Sequence, residues 1–180
     1  MNMSREIVMV NRAPVLTLWA SIVAERLGYD RQAALSLGKA LAGLNAQTKG
    51  RSLGIYKPPV KAEAVPAKKV RPGEEVRIEL LGRPVPARTT EHGLRAIVKD
   101  RPIEPDRVER YLDETFGSAL QAVEEAMKAL ALAFDPKELG AKAFSLYARF
   151  RPEIPSGLRG WGAKGELDIS LIRSLAKKTQ

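Results

Sequence analysis

The chain has 180 residues, a formal net charge of +9 and no cysteine. At 44% hydrophobic and 28% charged residues it has ordinary globular composition, enough for one sizeable core or two small ones, which argues against wholesale disorder. Without cysteine there are no disulfides, thiolate metal sites or thiol nucleophiles, and the basic balance directs attention to polyanionic partners.

Ile7–Val10 is a short apolar run that reads as a strand or an ordered arm. It is too short for a signal-peptide core, and no segment approaches the roughly 18 apolar residues of a membrane span. The expectation is a cytoplasmic protein without membrane contact. Asn11 then caps a first helix with Pro14 in its first turn. Val15, Leu18, Trp19, Ile22, Val23 and Leu27 give that helix one broad apolar face, and Gly28 ends it.

Asp30 caps a second helix that is predicted to run to about Thr48, with Gly50 as a left-handed cap. Ala34, Gly38 and Ala42 recur every four residues, a small-residue ridge that lets another helix approach closely. The short Gly28-Tyr29 connection makes helices one and two a tight pair. Lys49–Gly54 reads as a basic loop. Residues 58–73, rich in Pro, Lys, Ala and Val, read as an extended linker. The chain thus divides into an N-terminal part (1–57), the linker (58–73) and a C-terminal part (74–180).

Beyond the linker the period changes. Val76, Ile78 and Leu80 alternate with charged residues as a half-buried strand. Gly82-Arg83-Pro84 makes a turn, and Val85–Thr90 returns as a strand confined to an edge by Pro84 and Pro86. Glu91-His92-Gly93 turns again, Leu94–Val98 is a third strand, and residues 99–102 close a small meander. One long helix follows, opened by Pro105 and Asp106, its stripe running from Val108 through Leu112, Phe116, Leu120, Val123, Met127 and Leu130 to Phe134. Asp135-Pro136-Lys137-Glu138 is a capping box for the next helix. Pro155–Gly165 reads as a glycine-rich loop, and Asp168 caps a last helix. The fold class is therefore α+β, predominantly helical: an N-terminal helical pair, a small antiparallel β meander, and C-terminal helices.

No catalytic motif emerges. His92 stands alone in a turn, without the neighbours that zinc or a triad requires. Glu109 and Asp113 lie one turn apart but off the apolar stripe, as a solvated face paired with Arg107 and Arg110. The glycines around Lys164 evoke a phosphate loop, yet no strand precedes them, Gly165 replaces the required Ser or Thr, and no helix follows at once.

Charge carries the functional reading. Residues 1–70 are net +7, 71–102 net +2, 103–140 net −5 and 141–180 net +5. A basic head and tail flank an acidic middle. Phosphate contacts are assigned to Lys39, Lys49, Arg51 and Lys57, extended by Lys68, Lys69 and Arg71 in the linker and by Arg159 and Lys164 in the tail loop. Tyr56 and Trp161 supply stacking surfaces. The expected function is binding of DNA or RNA through the backbone, with low sequence specificity and no cofactor or metal. A sequence-reading role for helix two would fall to Arg31, Gln32, Ser36, Lys39 and Asn45, few polar residues for a recognition helix. The rival from another class is an interaction or scaffolding module that forms a homodimer through Ala34, Gly38 and Ala42. An enzyme acting on a small anion at the glycine-rich loop ranks third.

Overall fold

The computed structural model describes residues 7–52, 75–99, 101–152 and 165–179, with backbone alone over 45–52 and 178–179. Strand β1 (Ile7–Val10) leads into α1 (Arg12–Arg26) and α2 (Arg31–Ser52). The meander is β2 (Glu75–Leu80), β3 (Arg83–Thr90), β4 (Gly93–Val98) and the short β5 (Arg101–Pro102). Helices α3 (Pro105–Phe116), α4 (Leu120–Leu132) and α5 (Pro136–Phe150) follow, then β6 (Gly165–Asp168) and α6 (Ile169–Thr179). The fold is mainly helical α+β, with the helical pair, antiparallel meander and C-terminal helices that the sequence predicts.

The helical pair forms for the reasons visible in its residues. Asp30 Oδ1 accepts the Ala33 backbone N–H at 2.7 Å, one of the donors that a helix start leaves unpaired. Gly28 turns the chain at φ +114°, a conformation open to glycine. Asn11 occupies the cap position of α1, but its side chain makes no capping bond. The ridge on α2 faces α1: Ala34 is fully buried, and Gly38 sits directly against Thr17 and Ser21. At Ala34 and Gly38 the ridge that suggested a homodimer is covered by α1 of its own molecule, while its third member, Ala42, lines a cleft.

Several boundaries differ from expectation. Helix α2 continues through Gly50 to Ser52 rather than ending near Thr48. One glycine costs a helix interior only about 1 kcal/mol, and good helix formers precede it. The long predicted helix is two, broken by a 3₁₀ turn at Gly117–Ala119 where Gly117 adopts φ +56°. Phe116 and Leu120 remain four apart, so the apolar stripe conceals the break. The β2–β3 turn is Leu81-Gly82, with Arg83 and Pro84 already in the strand. Leu81 adopts φ +50° there, an uncommon conformation for a side chain of its size, with that side chain buried in the core. β3 is an inner strand of the order β2-β3-β4-β5 and not an edge. Its prolines are accommodated because pairing with β4 begins only at Ala87, beyond Pro86. Finally, Gly165–Asp168 is a strand that pairs antiparallel with β1, Ile7 opposite Asp168 and Val10 opposite Gly165.

Residues from both sides of the 53–74 segment enter one hydrophobic cluster, among them Trp19, Leu37, Val85, Met127, Phe150 and Ile172. Among the described residues no helix is long and apolar enough to cross a membrane. α2 is fixed to the meander by Ser36, whose hydroxyl donates to the Ala33 carbonyl at 2.8 Å and accepts the Ala96 N–H at 3.0 Å.

At the α1–α5 contact, burial pushes the Tyr147 phenol up to about 12. An exposed phenol ionises near 10. Below pH 10 both folded and unfolded chains hold the proton, and the stabilisation is complete. Between pH 10 and 12 only the unfolded chain ionises, so stability falls as pH rises. The span corresponds to roughly 2–3 kcal/mol. Urea midpoints measured from pH 9 to 11.5 are expected to fall more steeply for the native chain than for Tyr147→Phe. Tyr111, whose phenol burial also raises, acts in the same direction in both proteins. Parallel curves would show that Tyr147 is not shielded from water.

Candidate nucleic-acid interface

Where α2, β4–β5 and α3 meet they leave an open cleft of about 820 Å³, in the size range of small-molecule sites. Each wall follows from local structure. α2 contributes Ala40, Ala42 and Gly43, small residues that leave room, together with the apolar Leu44. β4 contributes Ile97 and the half-exposed Val98. α3 contributes Val108 and Tyr111, three apart on one helix face. The lining is mainly apolar, and among the described residues the cations Lys39, Lys99, Arg101 and Arg107 stand around it against a single carboxylate, Glu104.

The four cations differ. Lys39 is partly buried, its Nζ 4.0 Å from the centroid of the Tyr111 ring. A cation over an aromatic face is favourable, but the ring does not neutralise it, and no carboxylate among the described residues pairs with it. Burial holds its pKa below the ordinary lysine range. Lys99, at φ +51°, and Arg101, the first residue of β5, are both exposed. Arg107 Nε lies 3.1 Å from Glu104 Oε2, with both side chains largely exposed. Such a surface pair contributes about 0–1 kcal/mol and is screened by salt, so Arg107 can exchange that partner for a phosphate at little cost.

Of the eleven residues the sequence assigns to binding, Lys39 alone has a described side chain, and it lines the cleft. Lys49 and Arg51 lie in the last turns of α2, roughly 15 Å or more along its axis from Lys39. Tyr56, Lys57, Lys68, Lys69, Arg71, Arg159, Trp161 and Lys164 fall outside the described residues, as does the linker. The sequence reading missed Lys99, Arg101, Arg107 and Tyr111. The Lys99–Pro102 stretch reads only as a turn, and α3 only as an acidic solvated helix. The one available signal was that two of those turn residues are basic.

Other candidates resolve into structure. On α2, Arg31 pairs with Glu109 at 3.5 Å and Glu124 at 3.4 Å. Gln32 accepts from Arg95 at 2.9 Å, and Ser36 is engaged by β4. Three of the five polar residues considered for a DNA groove are thus engaged within the molecule; the side chain of Asn45 lies outside the described residues. Glu109 finds Arg31, not Arg107 or Arg110 as its own helix suggested. His92 does serve the β3–β4 turn: its N–H donates to Thr90 Oγ1 at 3.2 Å and its carbonyl accepts from Arg95 at 3.0 Å. Among the described residues no three His, Asp or Glu converge as metal ligands.

No protein family, curated protein or solved structure matches this chain.

Proposed function

We propose that this protein binds nucleic acid, DNA or RNA, through its phosphate backbone and with little sequence specificity. The observation that carries the reading is the cleft mouth: among the described residues four cations stand against one carboxylate, and Lys39 is partly buried with no acidic partner among them. The chain's net +9 supports it. Lysine and arginine that neutralise phosphates release condensed counterions, so affinity must fall steeply with salt.

The test is fluorescence anisotropy of nuclease-treated protein with labelled DNA and RNA, single- and double-stranded, over a salt series. Binding that weakens linearly in log salt is expected. Replacing Lys99, Arg101 and Arg107 together by Ala should lower the log–log slope for single strands by about 2, near 0.7 for each phosphate that is no longer neutralised. All three side chains are exposed, so the fold should survive. Absence of binding at low salt, where surface electrostatics are strongest, would reject the reading. Self-association without nucleic-acid affinity would instead favour an interaction module, through a surface other than the α2 ridge.

A further inference from the structure

The cleft behind those cations is larger and more apolar than phosphate binding requires. We infer, building on the nucleic-acid reading, that it receives one unstacked base of the bound strand, so that the protein prefers single strands to duplex. Phosphate is met by exposed charge alone. A cleft of about 820 Å³ lined by Ala42, Leu44, Ile97 and Val108 is instead a site for a planar apolar body. The juxtaposition of that lining with Lys39, Lys99, Arg101 and Arg107 matches a nucleotide, whose base is apolar on its faces and whose phosphate is anionic.

A base in a duplex is stacked and paired, and must be extruded before it can enter. A single strand offers its bases at much lower cost, and charge alone does not discriminate in this way. Selection among bases should be weak, because the wall side chains Ala42, Leu44, Ile97 and Val108 have no hydrogen-bonding group to read a base edge.

Gly43 supplies a direct probe. It is exposed at the cleft wall, and a Cβ added there meets nothing within 4 Å. Gly43→Phe should therefore fill the cleft while leaving the core and all four cations in place. The experiment compares, by anisotropy at fixed salt, a labelled 12-nucleotide single strand, the same strand with abasic sites, and the corresponding duplex, in DNA and in RNA. For the native chain the intact single strand is expected to bind about tenfold more tightly than the abasic strand or the duplex. Gly43→Phe is expected to remove that advantage and leave the salt slope unchanged, with circular dichroism confirming the fold. Equal binding of intact and abasic strands would overturn the inference, as would a Gly43→Phe variant that keeps the preference; in both cases backbone binding stands. Failure of every strand to bind would overturn the underlying reading instead.

Discussion

Replacing Trp19 by Ala is expected to cost about 3–5 kcal/mol, the range for emptying a large aromatic site in a core. Trp19 is fully buried on α1 and reaches α5 in two ways. Its indole N–H donates to the Ala143 carbonyl at 2.9 Å. Its ring meets Phe150 edge-on at 5.3 Å, and Phe150 in turn meets Tyr147 edge-on at 5.9 Å. Arg12 independently anchors the start of α1 through its 2.9 Å bond to the Pro152 carbonyl, which limits how far the helix can shift to close the space. Domains of this kind have about 5–15 kcal/mol of stability in all, so the variant should lose a large part of it. Trp19→Phe keeps most of the ring packing and loses the hydrogen bond, and should cost about 1–2 kcal/mol. Urea unfolding followed by circular dichroism measures both. A Trp19→Ala variant within 1 kcal/mol of native, or a Phe variant no better than Ala, would mean that α1 does not pack on α5 in this way.

What the sequence makes legible here is local, and what it hides is the bringing together of distant segments. The Asp30 cap, the Gly28 turn and the periodic apolar face specify the helical pair within one stretch of chain. The Asp135 cap is equally local: its Oδ1 accepts the Glu138 N–H at 2.8 Å as the motif predicts. The ridge at Ala34 and Gly38 correctly signals close approach, but spacing alone does not say whose helix approaches. β6 escapes notice because Gly165-Glu166-Leu167-Asp168 is too short to show a period, and its partner β1 lies at the other end of the chain. The cleft is the extreme case. Lys39 on α2, Lys99 and Arg101 beside β5, and Arg107 and Tyr111 on α3 come from three separate elements. Apart from Lys39, already assigned to phosphate, each cation reads as a solvated surface charge until the helices and the meander close around the same space.

The ridge also yields the second large effect. Gly38→Ala is expected to destabilise by about 2 kcal/mol, although alanine is the better helix former. Inside a helix, exchanging Gly for Ala gains about 1 kcal/mol. Here the new Cβ would lie 2.5 Å from the Thr17 carbonyl oxygen and 3.0 Å from the Ser21 nitrogen, and closer still to Ser21 Oγ. Two of these three are backbone atoms of α1, so a rotamer change cannot relieve the clash, and α1 itself must move. Overpacking of that kind costs about 3 kcal/mol, the upper end of the usual range, and outweighs the propensity gain. Gly140→Ala is the matched control: its Cβ meets only Leu27 Cδ2, at 3.8 Å, an ordinary contact. That variant should be stabilised by about 0.5–1 kcal/mol. In thermal unfolding the two should move in opposite directions, by about 2–4 °C per kcal/mol for a chain of this length. Adding Ser21→Ala to Gly38→Ala should recover only part of the loss, since Ser21 Oγ is removed while the Thr17 carbonyl stays in place. Full recovery would assign the clash to the hydroxyl alone. A Gly38→Ala chain as stable as native would mean that the helices stand further apart than the ridge requires, and the α2 ridge would then be open to a second molecule.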